Sequence, residues 1–183
     1  MDNRNKLLQL LKENSLLFGE FTLTSGKKSS YYFDSKLTTL LPEGSYLVAR
    51  EILRIIEEKK IEADAIGGMT LGADPIVSAV AAVSFVEGKP LPAFIVRKDP
   101  KGHGSRRRIE GSVRDKAKVI IVDDVVTTAG STLSAIEAAK EAGFDIVAVI
   151  ALVDREEGGT EILKPYNFYP IFRRSEILPP VSM

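Results

Sequence analysis

From Val119 to Val122 every residue is apolar and β-branched, and the next two are Asp123 and Asp124. Such a run has no polar face, so it reads as a buried strand that delivers two carboxylates to the edge of a sheet. A small, hydroxyl-rich stretch follows, Thr127-Thr128-Ala129-Gly130-Ser131-Thr132, and a helical pattern covers Ser131–Ala142 until Gly143 stops it. Strand, polar turn and helix in that order form one half of a βαβ unit.

The remaining chain repeats the alternation. Leu7, Leu8 and Leu11 mark an opening helix, with short extended segments at Glu20–Leu23 and Tyr31–Asp34 and a polar loop, residues 24–30, between them. Glu43–Lys60 is helical by its spacing, Asp64–Gly68 a strand, residues 71–86 a helix, Leu91–Val96 a strand and Ile146–Val153 another. The expected class is α/β, a central parallel sheet flanked by helices. Four segments then follow strand carboxyl ends: Gly67–Gly72, Arg97–Val113, Asp123–Gly130 and Asp154–Gly159. In an open parallel sheet, ligands bind along that edge.

Composition narrows the chemistry. In 183 residues Lys+Arg and Asp+Glu both count 25, so neither nucleic acid nor an anionic membrane is an expected partner. No cysteine is present, which removes thiolate catalysis and cysteine zinc sites, and His103 alone cannot build a multi-histidine metal site. No apolar run reaches the roughly 20 residues needed to cross a bilayer. The amphipathic opening, MDNRNKLLQLLKEN, is too polar for a secretory signal. The expectation is one soluble, cytoplasmic domain over residues 1–183.

The Asp123–Gly130 segment suits a phosphate. A small-residue loop at a helix start turns backbone N–H groups toward one point, where the helix terminus adds positive potential. Asp123 and Asp124 cannot bind phosphate, but they can grip ribose hydroxyls or hold the waters of Mg²⁺. The plainer alternative is an ordinary turn with Ser131 as an N-cap. Neither GxxxxGK[ST] nor GxGxxG occurs between a strand and a helix. The second loaded segment, RKDPKGHGSRRR, sets Arg97, Lys98, Lys101, Arg106, Arg107 and Arg108 against Asp99 alone. With Pro100, Gly102 and Gly104 it reads as a long mobile lid over a polyanion; the alternative is a solvated hairpin.

Residues Asp123–Thr132 resemble the phosphoribosyl-pyrophosphate (PRPP) motif of the type I phosphoribosyltransferases. Three more segments resemble the orotate phosphoribosyltransferases within that family: Phe21–Asp34, Arg97–Gly104 and Asp154–Gly159. The resemblance implies a fold with a small hood, formed by about residues 1–40 with part of the C-terminus, and a mobile catalytic loop. It also implies transfer of a phosphoribosyl group from PRPP to orotate with Mg²⁺, in a cytoplasmic homodimer with shared active sites. Catalysis would fall to Lys101, His103, Asp123 and Asp124. PRPP would meet Arg97, Lys98, Lys101, His103 and the run Asp123, Asp124, Val125, Val126, Thr127, Thr128, Ala129, Gly130 and Ser131. Orotate would meet Thr127, Arg155, Tyr32 and Phe33, and Mg²⁺ would sit by Asp123 and Asp124 through water. Thr24 and Leu71 stand where some members carry lysines, so those two contacts do not transfer. A purine phosphoribosyltransferase or a PRPP-sensing regulator on the same fold shares Asp123–Thr132 and remains the alternative.

Overall fold

The computed structural model describes residues 2–22, 28–99 and 108–178. Helix α1 (Asn3–Leu10) runs into one π turn, and the chain then forms a two-stranded antiparallel sheet from β1 (Leu16–Thr22) and β2 (Lys28–Phe33). Lys28, Ser29 and Ser30 therefore belong to a strand rather than to the expected loop. The short α2 (Lys36–Thr39) leads into α3 (Pro42–Glu58).

The main sheet has six strands, in spatial order β5 (Ile109–Glu110), β4 (Ala93–Val96), β3 (Ala65–Met69), β6 (Lys118–Val126), β7 (Asp145–Asp154) and β8 (Phe168–Arg173). Five strands are parallel and β5 pairs antiparallel with β4, so the sheet is mixed where a parallel one was expected. Strands β5 and β8 left no sequence signal. The first is two residues long, and Pro170 interrupts the second, which only an edge strand tolerates.

Helices cover both faces. Ile120 and Val122 of β6 face one way, into a cluster with Leu47, Val48 and Ile52 of α3 and Ile76 and Val80 of α4 (Asp74–Val86). Val119 and Ile121 face the other, with Ala135, Ile136 and Ala139 of α5 (Gly130–Glu141). This strict alternation of apolar side chains explains why β6 is apolar at consecutive positions. Helix α4 begins at Asp74, later than the expected residue 71, with Pro75 in its first turn. After β7 come α6 (Gly159–Leu163), a 3₁₀ turn, β8 and α7 (Arg174–Ile177).

Candidate active site

The carboxyl ends of β3, β4, β6 and β7 lie along one edge of the sheet, as their parallel pairing requires. At that edge β6 runs further than its sequence suggested. Its ladder with β7 continues through Val125↔Val153 and Val126↔Asp154, so Asp123 and Asp124 lie on the strand itself. Strand alternation then sends the two carboxylates to opposite faces.

Asp123 turns toward α5 and is only 5% exposed. Its Oδ2 accepts from the hydroxyls of Ser131 at 2.8 Å and Thr132 at 2.6 Å, and its Oδ1 accepts from the Asp124 N–H at 3.0 Å. Burial pushes its carboxyl up to about 6; the Thr132 hydroxyl opposes this and the Asp124 charge adds to it. Both oxygens are thus engaged inside the protein. Asp124, on the other face, accepts a short hydrogen bond at Oδ2 from Ser35 Oγ, which stands one residue before α2. A Cβ on Gly72 would collide with the Asp124 carboxylate. Glycine there lets the segment after β3 close on it.

Between Asp124 and α5 the chain turns through Thr127–Ala129. Ala129 takes a left-handed conformation, φ 63°, immediately before the helix. Non-glycine residues seldom adopt it, and such strain concentrates where loop geometry serves a ligand. The first-turn N–H groups of α5 have no intrahelical acceptor, so with the exposed Thr128, Gly130 and Ser131 they have the donors that an anion would need. Val126 and Ala129 bury their side chains, so only their backbones remain for a ligand. Behind the turn, the Thr127 carbonyl accepts from Gly159 N–H at 2.9 Å and the Val126 carbonyl from Arg155 N–H at 2.8 Å. The segment after β7 therefore braces the anion loop.

Asp154 shapes that segment from within. Its carboxylate, 1% exposed, accepts from the Glu156 N–H at 2.9 Å and the Thr160 hydroxyl at 2.5 Å. Arg155 is then aimed at a narrow crevice lined by Leu16, Tyr31, Phe33, Val153 and Arg174. Its guanidinium stands 5.9 Å from the Tyr31 ring centre and pairs with Glu157 at 2.8 Å. Its Nε is buried and has no hydrogen-bond partner among the described residues. Arg174 Nε donates to the Tyr31 hydroxyl at 2.9 Å, so two arginines flank one ring.

Of the aromatic pair expected beside a base, the structure puts only Phe33 in this crevice. Tyr32 faces the other side of β2, half exposed, against Phe21 at 5.7 Å between ring centres. Tyr31 takes the place because residues 31 and 33 share a face. Arg97 and Arg108 hold the base of the cationic segment together. The Arg97 N–H donates to the Arg108 carbonyl at 2.8 Å, and Arg108 Nε donates to the Arg97 carbonyl at 3.1 Å. Lys98 is exposed nearby. Lys101 and His103 lie outside the described residues, as do Thr24 and Lys27.

A cleft of about 660 Å³ elsewhere, between α3 and the end of α4, is not a rival site. Three of its cations are held by the ion pairs Arg50–Glu87, Arg54–Glu51 and Lys89–Glu57.

The phosphoribosyl transferase domain family matches residues 40–176. The orotate phosphoribosyltransferase of Aquifex aeolicus is 44% identical over 97% of this chain and 99% of its own length. A crystal structure of the Mycobacterium tuberculosis H37Rv orotate phosphoribosyltransferase superposes with a TM-score of 0.85 at 33% identity, covering 96% of this chain and 99% of that one. The same enzyme in complex with PRPP gives a TM-score of 0.81 at 30% identity, over 96% and 99% of the two chains.

Proposed function

The chain belongs to the orotate phosphoribosyltransferases, and from that premise we infer that it transfers the phosphoribosyl group of PRPP to orotate in pyrimidine biosynthesis. The bond between the sugar anomeric carbon and pyrophosphate breaks, a carbon–nitrogen bond forms to the base as that nitrogen gives up its proton to water or to pyrophosphate, and orotidine 5′-monophosphate and pyrophosphate leave. The observation that carries this reading is the meeting of three features at one sheet edge: the α5 anion loop, the Asp123–Asp124 pair and the Arg155–Tyr31 crevice.

Each part has a distinct task. The N–H groups and hydroxyls of residues 127–131 hold the 5′-phosphate. Asp124, half-buried, offers its carboxylate to the ribose hydroxyls. Asp123 acts from beneath the anion loop: once ionised it stabilises the positive charge that grows on the sugar as pyrophosphate departs. It also clamps Ser131 and Thr132. Arg155 meets the orotate carboxylate, which replaces Glu157 as its partner, and bidentate pairing favours a planar acid over an uncharged pyrimidine. Tyr31 and Phe33 wall the base.

Mg²⁺ fits this donor set through one residue. Asp124 presents hard oxygen at the surface, whereas Asp123 has its oxygens occupied, and no group of three acidic or histidine ligands forms among the described residues. An ion that keeps its waters and binds substrate oxygens needs no more than one carboxylate, and it would neutralise the charge of pyrophosphate. Lys101 and His103 close over pyrophosphate from a partner subunit in a homodimer. The enzyme works in the cytoplasm; among the described residues no helix is long and apolar enough to cross a membrane.

Product affinity tests the reading. Titration calorimetry should show orotidine 5′-monophosphate binding at least about tenfold tighter than uridine 5′-monophosphate, which lacks only the carboxylate that Arg155 recognises. Tighter binding of adenosine or inosine monophosphate would contradict it and favour a purine enzyme.

A further inference from the structure

Resting on the donor site just described, we propose that Lys36 is a pyrophosphate-binding residue, supplying the fixed cation beside Asp124 that the segment after β3 lacks.

The segment that closes on Asp124 after β3 offers the leaving group no positive charge. Asp124 presents its carboxylate there, while Asp123 lies on the opposite face of β6 beneath α5. The segment from Thr70 to Ala73, which closes on Asp124 through Gly72, presents Leu71 to solvent at 73% exposure and carries no cation. A polyanion site that offers a carboxylate and a leucine calls for a positive charge held in place by another element.

The turn before α2 provides it. Ser35, 1% exposed, is tied to Asp124 by its hydroxyl, which fixes the start of α2 against the sugar-binding carboxylate. Thr38 anchors the other end of the helix on Ser15 by a buried hydroxyl pair at 2.7 Å. Lys36 follows Ser35 directly. Its ammonium rests on Asp34 at 2.8 Å, and Asp34 also accepts from the Lys36 N–H at 3.0 Å. The ammonium is held protonated chiefly by its hydrogen bond to Asp34, with the Asp124 charge contributing. The side chain stays 42% exposed, on the residue that directly follows the Ser35 bonded to Asp124. Such a half-exposed ion pair is weak, so pyrophosphate oxygens can take the ammonium over from Asp34 at little cost. Lysine suits the task as a compact charge on a flexible stem.

The test uses inorganic pyrophosphate with Mg²⁺, and ribose 5-phosphate, as separate titrants of the full chain. Lys36→Gln should weaken pyrophosphate by about tenfold or more and leave ribose 5-phosphate, held by residues 127–131, within about twofold. Lys36→Arg should keep most of the affinity. In turnover, Lys36→Gln should raise KM for PRPP and not KM for orotate, and adding Leu71→Lys should recover part of the loss. Unchanged pyrophosphate affinity in Lys36→Gln would overturn the proposal. So would an equal loss for both titrants, which would mark Lys36 as structural. A wild-type protein that bound neither titrant would overturn the donor site itself, and the part of Lys36 with it.

Discussion

The hydroxyl of Thr132 donates to Oδ2 of Asp123 at 2.6 Å, joining the third residue of α5 to the strand that precedes the anion loop. The bond closes the loop on itself. The geometry of the loop depends on a buried carboxylate nine residues earlier in sequence, and the hydroxyl favours the ionised form of that carboxylate.

A pH dependence follows. The kcat/KM for PRPP should rise with pH through an apparent pKa near 6, as Asp123 ionises in the free enzyme. Thr132→Val removes the group that lowers this pKa, so the midpoint should move higher, measured by rate profiles from pH 5 to 9.

Stability carries the opposite slope. The native Asp123 carboxyl titrates near 6 and the unfolded one near 3.8, so its contribution is full below 3.8 and is lost as pH rises through 6. Asp123→Asn lacks this loss. Its stability relative to wild type should improve between pH 4 and 7 in urea melts, even as activity falls.

Asp124→Asn should lower kcat by about 10²–10³, the usual loss for a group that acts mainly on the transition state. The fold should survive, because Ser35 can still donate to the amide oxygen. Circular dichroism and kinetics on one sample separate the two effects.

Arg155→Lys should raise KM for orotate by about tenfold or more, since a single ammonium cannot replace the two-pronged guanidinium. Tyr31→Phe should have a smaller effect through Arg174, which loses its hydrogen bond to the ring hydroxyl.

The proposed sharing of active sites in a dimer predicts a mixing result. Lys101→Ala and Asp124→Asn proteins, each nearly inactive, should recover roughly a quarter of wild-type activity after subunit exchange, because half the dimers are mixed and each mixed dimer has one intact site. No recovery despite proven exchange would place Lys101 over its own subunit's donor.

Much of this site was legible in the sequence because its chemistry is local. The Asp123–Thr132 run announces strand, anion loop and helix in order, and Arg155 stands at a strand end that apolar patterning locates. What the sequence concealed is long-range. The split between Asp123 and Asp124 depends on β6 continuing beside β7, and nothing in a row of Asp and Val marks where a ladder ends. Ser35 meets Asp124 across 89 positions and Arg174 meets Tyr31 across 143, with unremarkable residue types at each end. The choice of Tyr31 over Tyr32 rests on strand register alone, and that register is set by pairing with β1.

The most direct measurement is turnover with one base at a time. Purified protein is mixed with PRPP and Mg²⁺ and then with orotate, uracil, adenine or hypoxanthine, following ultraviolet absorbance and released pyrophosphate. Orotate alone should be consumed, with pyrophosphate formed in equal amount. Comparable turnover of either purine, or none of orotate, would contradict the assignment of the Arg155 crevice to an acidic pyrimidine.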